Sequence, residues 1–357
     1  MFDIAPFLDT VGEPQAAALF GLVTGLVFGV AAQRSRFCLR ASAIEFAHGH
    51  LGPRMAVWLL TFSTALVWVQ AARMAGLVDA ENARMMAIPG SWSGAIVGGL
   101  LFGAGMVLAR GCSGRLLVLA ATGNLRSVVS GLIFAVVAQM SLAGALSPTR
   151  SWLAGLWITE GGQNVNYVTS VGLPQEVALI GGLLLALAAI LIARRAELGA
   201  SRLIFGSGVG FAIALGWVLT TALSQAAFDP VQIESATFSG PSANTLMFFL
   251  DRDALVDFDI GIIAGVVIGA FAASLWGREF SFQGFEGHRP MREAMIGAAL
   301  MGFGAMLAGG CAIGAGVTGT SILVGTALVA LTAMWIGAIA TERLLQTAGP
   351  EKSALPA

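Results

Sequence analysis

Charged side chains are scarce in this 357-residue chain. Asp, Glu, Lys and Arg make up 11% of it, against about 25% in an ordinary soluble domain. So few charges cannot cover a water-facing surface, which excludes a soluble globular protein. The 19 Lys and Arg are balanced by 20 Asp and Glu, and no basic tail offers itself to nucleic acid. Cysteine is nearly absent: three is an odd number, which excludes a complete structural disulfide set. No cysteine pair has zinc-site spacing, so no metal site is expected, and no cofactor motif is found. His48, His50 and His288 stand alone and read as solvated side chains. There is no P-loop, so the chain does not itself hydrolyse ATP. The first fifteen residues carry Asp3, Asp9 and Glu13 and no positive charge, the wrong sign for a cleavable signal peptide.

What is abundant is apolar. Hydrophobic residues make up 57% of the chain and fall in runs of 17 to 24, the length a helix needs to cross a bilayer core. In lipid each segment must satisfy its own backbone amides, so these runs are helices; ten-residue alternation, the mark of a membrane β-barrel, is missing. The predicted fold is an all-α integral membrane protein, one transport domain over 1–357 with about nine spans. These are 16–32, 53–76, 93–109, 125–146, 174–193, 203–224, 258–276, 291–308 and 321–341. A 17-residue helix reaches only about 26 Å, short of the roughly 30 Å core. The shorter, Gly-broken spans are therefore expected to stop inside the membrane. No span carries an acidic or histidine relay of the kind proton-coupled carriers use.

Nine spans put fifteen basic residues, Lys352 among them, on the side of the C-terminus. Only Arg73, Arg84, Arg150 and Arg252 fall on the side of the N-terminus. The positive-inside rule then predicts a periplasmic N-terminus and a cytoplasmic C-terminus.

The chain also repeats itself. Residues 98–112, GGLLFGAGMVLARGC, align without gaps on 297–311, GAALMGFGAMLAGGC, with eight of fifteen positions identical, the terminal cysteines included. A weaker match sets Phe20-Gly21 and Gly25 on Phe205-Gly206 and Gly210. Five spans separate equivalent members, so the halves, 16–146 and 203–341, run in opposite directions, joined by the span 174–193. Such inverted repeats are a transporter signature, with the site near the midplane. Shared packing needs of Gly-rich helices are the alternative source of the likeness.

Four polar or Gly-rich stretches interrupt the spans: 33–38, 109–114, 234–241 and 308–314. The repeat pairs the first with the third and the second with the fourth, so two re-enter from each side and all four are expected to meet centrally. All three cysteines, Cys38, Cys112 and Cys311, lie there and none in a plain span. A lone membrane cysteine is usually a small apolar filler; a whole complement placed at helix breaks points to function. A thiol is a weak donor and a soft, polarizable partner, better suited to a sulfur-bearing substrate than to a hard oxyanion. Gly111, Gly114, Gly309, Gly310 and Gly314 would let the backbone turn and approach a ligand. A short helix starting near Ser113 or Ala312 would aim free N–H groups at an anion. Ser239 and Gly240 belong to the matching outer stretch. Arg36, Arg110 and Arg115 frame the inner cysteines. They either lower the cost of an anion at depth or serve as positive-inside anchors.

In these segments the chain resembles the YeeE/YedE family of bacterial sulfur-transport membrane proteins. The carrying residues are Ser35-Arg36-Phe37-Cys38, Arg110-Gly111-Cys112-Ser113-Gly114, Glu234-Ser235 with Phe238-Ser239-Gly240-Pro241, and Gly309-Gly310-Cys311-Ala312-Ile313-Gly314. The resemblance implies an inner-membrane permease for thiosulfate or a close relative. It implies an hourglass of loops nearly meeting at the centre, and substrate passed along neutral thiols at Cys38, Cys112 and Cys311 by S–H···S contacts. It also implies a small cytosolic sulfur-carrier protein as partner; the tail after about 344 is too short to be a fused one. A membrane-bound sulfurtransferase holding a cysteine persulfide, or a non-transporting component of a larger complex, are the competing expectations.

Overall fold

The computed structural model describes residues 4–252, 254–284 and 287–347. Lys352 lies outside the described residues. The described chain is helical, with isolated β-bridges in place of strands. After a short α1 (Ala5–Val11), the helices are α2 (Glu13–Ser35), α3 (Leu39–Ala47), α4 (Pro53–Met74), α5 (Arg84–Ala87) and α6 (Trp92–Leu108). There follow α7 (Ser113–Ala121), α8 (Leu125–Ala143), α9 (Ser147–Gly155), α10 (Glu176–Arg195) and α11 (Ala200–Ala226). The last are α12 (Gly240–Leu250), α13 (Phe258–Trp276), α14 (His288–Leu307) and α15 (Gly325–Thr347).

Among the described residues eight helical stretches are long and apolar enough to cross a bilayer. The ninth expected span, 291–308, is α14, a 20-residue helix of about 30 Å. Its first turns carry Arg289, Arg292 and Glu293, which lower its apolarity. The last span begins later than expected, at Gly325, because Thr320 to Val324 form a turn instead: Val324 N–H bonds Gly319 O at 3.1 Å, and Gly325 N–H bonds Val165 O.

The helices end where the sequence turns polar, and the backbone shows how. α2 stops at Ser35 because Arg36 adopts φ 56°, a left-handed conformation that costs a non-glycine residue roughly 1–2 kcal/mol. α6 stops before Arg110 at φ 59°, and α14 before Gly309 at φ 76°. Arg110 and Gly309 occupy equivalent places in the internal sequence match. Beyond them Cys112 leads into α7, whereas Cys311 leads into a π-helical turn, Gly314–Gly319. A π turn holds one extra residue. That extra residue carries the second copy's numbering offset from 199, at Cys112 and Cys311, to 200 at the matching left-handed turns of Gly123 and Leu323.

Glycine stripes set the packing. On α2 a Cβ at Gly21, Gly25 or Gly29 would run into the backbone of α13 at Phe258, Ile262 and Val266. Gly261, Gly265 and Gly269 return the constraint against Ala18, Leu22 and Leu26. Small residues let membrane helix backbones approach this closely. α6 is seated the same way, with Gly99 and Gly103 on α15 and Gly98 and Gly105 on α14. The helix contacts pair off: α2 with α13 and α4 with α11; α6 with α15 and α8 with α14; α2 with α11 and α6 with α14. α10 packs on α4 and leaves most of its surface outward.

Candidate functional site

The re-entrant segments converge. Cys38 is the extended residue between α2 and α3, with φ −163° and ψ 116°. Cys112 holds the same place before α7, and Cys311 lies between the end of α14 and the π turn. Cys112 and Cys311 are buried and Cys38 half-buried, all three as free thiols.

Cys311 is the most tightly held. Its Sγ accepts the Phe238 N–H and the Gly314 N–H, each at 3.4 Å, and Thr237 Oγ1 stands 3.9 Å away. The Phe238 amide comes from the polar stretch before α12, so a residue of the third segment touches the cysteine of the fourth. The i+3 amide beside the sulfur recurs at Cys38, as Ala41, and at Cys112, as Arg115, although neither meets full capping geometry. The side chains of Cys38 and Cys112 interact with one another.

Between Cys311 and the inner pair stands an apolar constriction. The Phe28 and Phe238 rings meet edge to face at 4.9 Å between centroids. A Cβ on Gly114 would sit 3.1 Å from the Phe238 ring and 3.5 Å from Ile313. Glycine is therefore what lets the start of α7 come up to this ring. The void left beside Cys112, lined by Phe28, Phe37, Arg115 and Ile313, measures about 10 Å³. That is at or below the roughly 10–15 Å³ one water needs, so the packing is closed here.

A cavity of about 310 Å³ opens beside Cys311. Thr237, Ser239, Gly240, Gly309 and Gly310 line it, with Arg84, Arg150, Asn164 and Glu234. The Gly309 and Gly310 backbone lies at its wall: a Cβ at Gly310 would meet the Ala315 nitrogen at 2.6 Å.

The sequence signature for sulphur transport matches residues 34–340. The chain belongs to the sulphur-transport family. All three cysteines and, but for Gln33 at its edge, all four polar stretches lie within the matched span, as the resemblance seen in the sequence required. Thiosulfate transporter TsuA of Escherichia coli (strain K12) is 26% identical over 338 residues, covering 89% of this chain and 92% of that protein. Thiosulfate transporter TsuA of Spirochaeta thermophila is 25% identical over 319 residues, 84% of this chain and 90% of that protein. Like other members of a sulphur-transport family, the chain is a multi-pass membrane protein, and the relatives carry the names of transporters, not of enzymes.

Within this family member the arginines separate. Arg115 lies against Cys112 at the closed void, and its Nη1 is buried without a hydrogen-bond partner. Arg36 points away: its side chain is 57% exposed and pairs with Glu279 at 3.3 Å. Arg110 caps the end of α6 in the left-handed turn, half-buried. Ser113 opens α7, buried, with an unbonded hydroxyl. A Cβ on Gly111 would reach Leu116 of α7 at 3.4 Å. At Gly314 a Cβ would strike the Thr237 side chain. The 310 Å³ cavity adds Arg84, Arg150 and Asn164, which counted in the sequence only as charges or loop residues. Nothing local singled them out: Arg150 and Asn164 stand 66 and 80 residues beyond Arg84 along the chain and meet it only through folding.

Proposed function

We propose that this chain takes up thiosulfate, or a closely related small sulfur anion, across a bacterial inner membrane, without covalent chemistry on the substrate. The observation that carries the reading is Cys311: a buried sulfur beside the outer cavity, held by two backbone amides and followed, past Phe28 and Phe238, by Cys112 and Cys38. A neutral thiol there donates a weak hydrogen bond to the terminal sulfur of the anion, while the Phe238 and Gly314 N–H groups lie close enough to offset its charge. Arg115 supplies the positive charge at the inner pair. The names of the two relatives point to the same substrate.

The path runs from the periplasmic cavity past Cys311, then Cys112 and Cys38, to the arginine-rich face. The N-terminus lies in the periplasm and the C-terminus in the cytoplasm, with α14 as the ninth crossing. The fifteen-to-four split of basic residues supports this. Two inverted repeats, 16–146 and 203–341, joined by 174–193, are supported by the paired helix contacts and by the matched breaks at Arg110 and Gly309. A small cytosolic sulfur-carrier protein is the recipient on the inner side. The sulfurtransferase reading finds no support at Cys112 and Cys311: both are sealed from solvent, where a persulfide could not be handed to a soluble acceptor.

An inside-negative potential opposes the inward passage of a dianion by about 2.3 kcal/mol per charge per 100 mV. Capture on the outer face therefore matters. The test is uptake of radiolabelled thiosulfate by purified protein in liposomes, with sulfate and selenite as competitors. Saturable uptake blocked weakly by sulfate is expected; liposomes no more permeable than empty ones would refute the proposal.

A further inference from the structure

An acidic cluster stands against the outer cavity and takes no part in the path described above. Glu234 comes from the stretch after α11 and lines the 310 Å³ cavity; its Oε2 lies 3.6 Å from Arg84 Nη1. That distance makes a loose ion pair and not a hydrogen bond. Behind it a second cavity, of about 390 Å³, meets the first at Arg84, Glu234 and Asn244 and is lined by Asp257 and Asp259. Asp259 is 4% exposed. Its Oδ2 accepts from Asn244 Nδ2 at 2.6 Å, and its Oδ1 has no partner.

The first cavity is also lined by Arg150, on α9, whose Nε is buried without a partner. Two guanidinium groups thus face one chamber whose volume is that of an ordinary ligand site. One is open to a ligand, and the other is held loosely by a carboxylate. The charged groups facing Glu234 are Arg84 from α5 and Asp257 and Asp259 at the start of α13; α12 contributes the neutral Asn244 and α11 the Thr220 hydroxyl, which bonds the Glu234 carbonyl at 2.6 Å.

We propose that this chamber is a proton-linked capture site for the transported anion, in which Arg84 and Arg150 bind the oxygens and Glu234 takes a proton when Arg84 turns to the ligand. The inference rests on the transport reading above and adds to it a binding step. The proton comes from bulk water on the outer side and goes to a carboxylate oxygen of Glu234; no other bond forms or breaks. The linkage is required by charge: an ionised Glu234 competes with the anion for Arg84 and repels it, and the nearby aspartates make that charge costly. Burial first, then Asp259 and Asp257, push the Glu234 carboxyl up to about 8 against the opposing pull of Arg84, so its titration falls in an accessible range. Because linkage is reciprocal, the anion must bind more tightly as the outer pH falls.

The experiment is thiosulfate binding to the full-length protein in nanodiscs between pH 5.5 and 9, with sulfate as the comparison anion. Wild-type affinity should weaken as pH rises through 8, approaching about tenfold per unit. In weakly buffered solution at pH 8 to 9, where Glu234 starts ionised, binding should draw protons from the medium. Glu234→Gln should bind at least as tightly as wild type at pH 6 and lose the pH slope. Arg150→Gln should lose about tenfold or more in affinity while keeping the slope. Proton uptake by the wild type is a readout that needs no variant to fold. Tight but pH-independent wild-type binding, with no proton uptake, would overturn the capture site and leave the transport proposal standing. A slope retained in Glu234→Gln would overturn it as well. No binding of thiosulfate at any pH would instead bring down the transport proposal.

Discussion

Cys311 Sγ lies 3.4 Å from the amide nitrogen of Phe238, a residue 73 positions away in sequence. One contact joins the end of α14 to the stretch before α12, and it places a thiol between the 310 Å³ cavity and the phenylalanine constriction. Removing that sulfur does two things: it deletes a soft donor from the path, and it strips two buried N–H groups of their acceptor.

Cys311→Ala is expected to cut thiosulfate uptake by roughly 10- to 100-fold, the worth of one hydrogen bond to a charged partner. Cys112→Ala should do the same, and Cys38→Ala, half-exposed and nearer the inner face, should be milder. Growth of a thiosulfate-dependent host, with expression checked by blot, reads the result. Wild-type growth in both of the first two variants would sink the thiol path. Intact-mass measurement after turnover adds a second reading: a gain of about 32 Da on a cysteine would favour persulfide chemistry instead.

Arg115 and Arg36 should part company. Arg115→Gln removes the positive charge beside Cys112 and should slow uptake severely at unchanged expression. Arg36→Gln breaks an exposed pair with Glu279, worth about 0–1 kcal/mol, and should leave uptake close to wild type. Equal loss in both would mean that the arginines act through topology alone.

Phe238 packs edge to face on Phe28, the closure of the proposed route. Phe238→Leu should loosen the constriction, lower the melting temperature of the detergent-solubilised protein and admit sulfate, which wild type is expected to exclude. Sulfate flux unchanged from wild type would show that selectivity lies elsewhere.

Gly25 sits where α2 and α13 touch backbone to backbone, and a Cβ there would lie 2.9 Å from the Val266 nitrogen. Gly25→Leu should cost well over the usual 1–3 kcal/mol of overpacking and abolish a monodisperse peak in fluorescence-detected chromatography. Gly131→Leu, at a glycine with nothing within 4 Å, should behave as wild type.

Much of this protein is written locally. Runs of apolar residues fix the helices, because in lipid a segment can satisfy its amides only within itself. The breaks at Arg36, Arg110 and Gly309 were legible because polar and glycine residues interrupt those runs. The short helix from Ser113 was expected and is there. Its counterpart near Ala312 is a π turn, since one extra residue has to fit between the same two anchors, and hydropathy carries no trace of that.

Sequence alone therefore determined the membrane fold, the spans, the family and the three cysteines at helix breaks. Only the tertiary structure decided which groups meet. It turned Arg115 toward Cys112 and Arg36 toward Glu279, and set Phe238 over Cys311. It also brought Glu234 and Asp259, 25 residues apart, to one pair of adjoining cavities. No single span shows an acidic pair; two elements build it. The reason is physical. Helix formation depends on neighbours along the chain, whereas the direction a side chain faces depends on how each helix is rotated. That rotation is set by glycine stripes whose partners lie hundreds of residues away.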